Sequence, residues 1–128
     1  MTNDIQLYQS ILKSWEICSQ KGLSKELGKP LIKLKADEIK KISGKKKDKI
    51  EKFSDFMYRH LDTLKNIKNA FCFLLFDEDG YLLSIKHRPG TVEKRYEYKD
   101  FFVPGVSFSE ESIGTNSVSM AMLLKRSI

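Results

Sequence analysis

Seven consecutive apolar residues, Ala70 to Phe76, run straight into Asp77-Glu78-Asp79-Gly80 and out again through Tyr81 to Lys86. No other stretch constrains the fold as strongly. A continuous apolar run of strand length belongs to a strand covered on both faces. The acidic tetrapeptide ends in glycine, where a tight turn needs positive φ. The chain must therefore contain an antiparallel hairpin, and Phe71 to Phe76 is predicted to be its most buried stretch. The same run is far short of the ~20 apolar residues that a membrane span needs. No longer apolar run occurs, and the opening MTNDIQLYQS lacks the basic start and apolar block of a secretory signal. No membrane partner is expected, and the location expected is cytoplasmic.

The remainder reads as helix and loop. Asn3 or Asp4 can cap a first helix over about 4–20, with Ile5, Tyr8, Ile11 or Leu12, Trp15 and Cys18 or Ile17 three to four apart on one face. That face is predicted to pack on the sheet or on a second subunit. Gly22 suits the left-handed position after the helix. Leu23 to Leu34, with Gly28-Lys29-Pro30, reads as a loop with an extended piece. A helical stretch starts near Ala36 and pauses at Ser43-Gly44. A longer helix then runs from about 46 to 66, its stripe being Ile50, Phe53, Met57, Leu61 and Leu64. After a polar segment over 87–99, Phe101-Phe102-Val103 leads to Pro104-Gly105. A last helix is predicted over about 112–126, with Val118, Met122 and Lys125 or Leu123 along its inner side. The fold class is α+β: N-terminal helices over 1–68, then a small antiparallel sheet over 69–128 closed by a C-terminal helix. At 128 residues, one compact unit is expected.

The net charge of +6 is concentrated. Residues 29–68 hold thirteen basic side chains against six acidic ones. Lys45, Lys46, Lys47 and Lys49 sit near the start of the long helix, the wrong end for cations in a helix dipole. They are candidates for phosphate contact. Solubility or an anionic contact would account for that position. No arginine fork or interleaved aromatic accompanies them, so a solvated helix face explains them more simply than nucleic acid. Cys18 and Cys72 lack partners at metal spacing, and His60 and His87 stand alone. Ser109 and Ser112 have no His at a recognisable spacing. No catalytic set, metal site or cofactor is expected.

Three segments together carry a family resemblance. They are Ser14-Trp15-Glu16-Ile17-Cys18 followed by Gly22-Leu23, the hairpin from Leu75 to Leu83, and Gly105-x-x-Phe108-Ser109-Glu110-x-x-x-Gly114-Thr115-Asn116-Ser117. In order and spacing they resemble the N-terminal sensory region of sigma-54-dependent bacterial transcription activators of the acetoin- and glycerol/dihydroxyacetone-regulator type. That region contains a GAF-like domain, here ending partway. Ser117 stands where the family has alanine. The family continues into an AAA+ ATPase and a helix-turn-helix, and this chain has no G-x-x-x-x-G-K-[ST] loop.

The resemblance implies a regulatory, non-catalytic domain that binds a small-molecule effector or dimerises to control such downstream modules. Phe108, Glu110, Gly114, Thr115 and Asn116 are the candidate ligand-binding residues. Thr115 and Asn116 are good helix caps, so a structural loop-to-helix joint is the competing reading. A homodimer is expected, because the strand at 70–76 would leave an edge beside Phe71, Phe73 and Leu75 that a second copy can pair. A ligand-free dimerisation module and an accessory nucleic-acid-binding domain acting through the 40–52 lysines are the alternatives.

Overall fold

The computed structural model describes residues 2–23, 29–60, 72–87 and 100–127. Helix α1 spans Thr2–Gln20, α2 Ala36–Lys45 and α3 Lys47–Arg59. Strands β1 (Cys72–Phe76) and β2 (Leu82–His87) form the hairpin, and α4 (Glu110–Ile113) and α5 (Ser117–Leu124) close the described chain. The fold is α+β.

The hairpin forms because Asp77 organises its turn. The Asp77 carboxylate accepts from the amides of Asp79 (3.0 Å) and Tyr81 (2.9 Å). Gly80 follows at φ +85°, where a side chain would be strained and would meet the Met122 side chain at 2.8 Å. The antiparallel ladder runs from Cys72 opposite His87 to Phe76 opposite Leu82, with an irregularity between Leu75 and Phe76 that places one extra residue on β2.

The core does not sit where the apolar run predicts. Phe73 is exposed, Leu74, Leu75 and Phe76 are half-buried, and the most buried stretch is Gly105 to Phe108. This strip threads between two others. On one side Leu82 donates to the Val106 carbonyl, Gly105 to Leu82 and Phe108 to Gly80, at 2.8–2.9 Å. On the other, Leu34 donates to Gly105 (2.9 Å) and Ser107 to Ile32 (3.0 Å). The strip 105–108 is thus covered by backbone on both edges, whereas β1 among the described residues pairs with β2 alone. An apolar run marks a strand with two apolar faces, not its place in the sheet. Leu82, Val106 and Phe108 form the core cluster, onto which Leu74, Phe76, Phe101, Phe102, Val103, Ile113 and Val118 pack. Phe76 and Phe108 meet edge to face at 4.8 Å.

Other departures are local. Helix α2 continues through Ser43-Gly44, and the break falls at Lys46. On α3, Met57 is buried with Ile50 and Phe53 half-buried beside it, whereas Leu61, Leu64 and Phe71 lie outside the described residues. The predicted last helix is two pieces, because Gly114 at φ +82° ends α4 and Asn116 starts α5. Leu123 points outward.

On α1 the predicted apolar stripe does not pack on the sheet, and its second-subunit alternative is untouched by a single chain. Ile5, Tyr8, Leu12 and Trp15 are exposed, with Trp15 at 58% and Tyr8 at 63%. The buried residues are Ser14 and Cys18, flanked by half-buried Leu7, Ser10, Ile11 and Ile17. Two arcs of α1 satisfy helical spacing, 5-8-12-15 and 7-11-14-18. The second carries Ser14 and Cys18 between Leu7, Ile11 and Ile17; the two small side chains let the helix approach close enough to hydrogen bond, and this arc is the one that docks.

Candidate functional site

The two sequence motifs furthest apart in the chain meet in space. Ser14 of α1 donates its hydroxyl hydrogen to the Glu110 carboxylate, at the first turn of α4. Its oxygen lies 2.6 Å from the Thr115 hydroxyl, between α4 and α5. One geometry satisfies all three groups: Thr115 donates to Ser14 and Ser14 donates to Glu110. The Cys18 thiol, one turn along α1 and buried, lies 3.9 Å from the Thr115 oxygen. Ser14 is 2% exposed, so this polar chain is closed to bulk water at its centre.

The neighbouring residues explain why the joint holds its shape. Asn116 caps α5, accepting from the Ser119 amide at 3.0 Å, while Ser119 donates back to the Asn116 carbonyl at 2.9 Å. The Asn116 side-chain amide donates to the carbonyls of Phe108 and Gly114, both at 2.8 Å. Ser112, fully buried, accepts from the Ile32 amide and donates to the Ile32 carbonyl, tying α4 to the 31–34 strip. Ser107 donates to Ser109 at 2.8 Å.

Of the five candidate ligand-binding residues, Glu110 and Thr115 come together on Ser14. Asn116 and Gly114 are linked to each other and, through Asn116, to Phe108, whose ring lies in the core. These contacts join α1, α4 and α5 at the motif, with Glu110 the acid among them. Ser14 belongs to the first motif but was not among the candidate site residues. A serine in the middle of an otherwise apolar helical arc was the available signal. Among the described residues no cluster of His, Cys, Asp and Glu could hold a metal ion. His60 stacks on Phe56 at 4.3 Å at the end of α3.

The lysine run lands elsewhere. Lys46, at the α2–α3 break, forms an ion pair with Glu78 of the hairpin turn at 2.7 Å. Lys47 pairs with Glu51 at 3.9 Å along α3, and Lys45 and Lys49 are exposed. The hydrogen bond from Lys46 holds the Glu78 carboxyl below its ordinary range, and Glu78 in turn raises the Lys46 ammonium. The anionic contact for Lys46 is thus within the chain.

The lowered Glu78 contributes stability above the ordinary carboxylate range, lost as pH falls through its folded value. The raised Lys46 contributes below the ordinary lysine range, lost as pH rises through its folded value. A Lys46→Ala, Glu78→Ala double-mutant cycle is expected to show a small favourable coupling at neutral pH that vanishes in acid and shrinks in high salt. Coupling that persists after carboxyl protonation would show that packing, rather than charge, joins α3 to the turn.

No protein-family profile and no curated protein matches the chain. Among solved structures the fold is similar to a chain in the crystal structure of the E. coli DhaR(N)–DhaL complex, with a TM-score of 0.68 and 21% sequence identity. The similarity covers 89% of this chain and 37% of that one, so the chain spans little more than a third of the length of the protein it resembles. No helix among the described residues is long and apolar enough to cross a membrane.

Proposed function

We propose that this chain is the signal-input part of a bacterial transcription activator, a regulatory domain without catalytic activity. The observation that carries the reading is the meeting of the 14–18 and 108–117 motifs in one joint. Those motifs resemble the sensory region of sigma-54-dependent activators, and the overall fold resembles that in the DhaR(N)–DhaL complex. In this reading 1–68 is the helical region and 69–128 the opening of a GAF-like domain. Its output passes to an AAA+ and a helix-turn-helix module. DhaR(N) forms a complex with DhaL. A protein partner of the same kind is proposed here, alongside a small-molecule effector.

A homodimer fits the same reading. The α1 stripe Ile5, Tyr8, Leu12 and Trp15 follows a 3-4-3 spacing and is exposed along its length. Such a stripe is the seam of a two-helix pairing.

Thermal unfolding with glycerol, dihydroxyacetone and acetoin, the effectors implied by the resemblance, tests the signal-input function. One of them is expected to raise the midpoint progressively with concentration, by the equivalent of about 2.7 kcal/mol at a hundred times its dissociation constant. Turnover of an ester, phosphate or nucleotide that disappears in a single Ser, Cys or His variant would overturn the non-catalytic reading. Sedimentation at micromolar concentration tests the dimer, and a strictly monomeric species would remove it.

A further inference from the structure

We propose that α1 is a separately seated arm, and that the Ser14 hydroxyl is its latch. The core cluster contains no α1 residue: Leu82, Val106 and Phe108, with the side chains packed on them, come from the hairpin, 101–108, α4 and α5. Helix α1 reaches the rest of the described chain through the α4–α5 joint, and its fully buried side chains are two small ones, Ser14 and Cys18. Leu7, Ile11 and Ile17 are half-buried beside them, while Ile5, Tyr8, Leu12 and Trp15 face away. The hydrophobic contribution to seating is thus partial, and the directed hydrogen bonds of Ser14 add to it. Ser14 supplies them to both halves of the joint, donating to Glu110 of α4 and accepting from Thr115 at the entrance to α5.

Two states follow. In the seated state the three groups satisfy one another, with Ser14 buried between the half-buried Glu110 and Thr115. In the released state Glu110 and Thr115 are hydrated and the core stays closed, so release needs far less free energy than global unfolding. At 19 residues, α1 exceeds the roughly 12–15 residues below which an isolated helix is marginal, so release need not melt it. Seating also immobilises Thr115, the residue before the α5 cap, so the arm's position is felt at Asn116. This goes beyond the signal-input reading and holds whether or not an effector or a second copy binds.

Cys18 reports the state directly, since its thiol is buried only while α1 is seated. Alkylation of Cys18 is followed by peptide mass spectrometry in the full chain, below micromolar concentration, alongside hydrogen exchange at the Leu82 and Gly105 amides. Ser14→Ala and Thr115→Val each remove latch bonds, and each is expected to raise the Cys18 rate by about tenfold. Thr115→Ser restores the hydroxyl and is expected to restore protection. Trp15→Ala, on the outward face, is expected to leave the rate unchanged. Protection at Leu82 and Gly105 should hold throughout. Cys18 rates that do not respond to Ser14→Ala and Thr115→Val would overturn the latch. So would loss of Leu82 and Gly105 protection in step with Cys18, because α1 would then open only with the core. A Trp15→Ala rate as fast as that of Ser14→Ala would also overturn it, placing the seating on the apolar stripe.

Discussion

Leu82→Ala is expected to destabilise the chain by about 2–5 kcal/mol, and Phe108→Ala by about 3–5 kcal/mol. Leu74→Ala, in the most apolar stretch of the sequence, is expected to cost less, below about 2 kcal/mol. Leu82 is 1% exposed and packs with Val106 and Phe108, and its backbone bonds the 105–106 segment in both directions. Truncating it opens a cavity that backbone on both sides prevents from collapsing. Leu74 is only half-buried on a strand with one described neighbour, so much of its side chain is in water already. Small domains hold about 5–15 kcal/mol in all, so the Leu82 and Phe108 variants should approach the limit of folding at ordinary temperature. Urea unfolding of the three variants decides the order. A Leu74→Ala cost equal to that of Leu82→Ala would return the centre of the core to β1.

The contrast between these leucines shows what the sequence could and could not convey. The hairpin was legible because its signals are local: an apolar run, an Asx-type turn and a glycine at positive φ all fall within twelve residues. Helices α1 and α3 were legible for the same reason, as periodic spacing over three or more turns. The burial of β1 was not, because a strand's depth depends on what lies along its edges. The strip that occupies the centre, 105–108, is short, begins with glycine and is preceded by proline. Its partners at 31–34 and 80–82 both lie more than twenty residues earlier in the chain. The docking face of α1 failed differently. Hydrophobicity ranks Trp15 and Tyr8 above Ser14 and Cys18, yet a helix seated by hydrogen bonds needs small polar side chains at the contact. The motif residues Glu110, Thr115 and Asn116 were identified, and so was the structural role of Asn116 as a cap. That Glu110 and Thr115 would both meet Ser14, about a hundred residues earlier, required the fold.

Asn116→Ala is expected to cost about 2–4 kcal/mol, a large effect for a polar residue outside the core. Loss of a helix cap alone costs about 0.5–2 kcal/mol. Here the carbonyls of Phe108 and Gly114 also lose their donor, each worth about 1 kcal/mol net. Asn116→Asp separates the contributions. Aspartate is as good a cap as asparagine and still accepts from the Ser119 amide, so a cap-only role predicts little change. In this joint, however, the second side-chain atom is a donor 2.8 Å from two carbonyl oxygens. A carboxylate oxygen placed there faces two acceptors with no proton between them. Asn116→Asp is therefore expected to be at least as destabilising as Asn116→Ala, and because the Phe108 carbonyl belongs to a core residue, the loss should appear in global unfolding rather than in fraying of α5. Urea unfolding followed at α5 and at the hairpin reads both quantities. An aspartate variant within about 0.5 kcal/mol of the parent chain would reduce Asn116 to a cap and detach the Gly114-Thr115-Asn116 segment from the core.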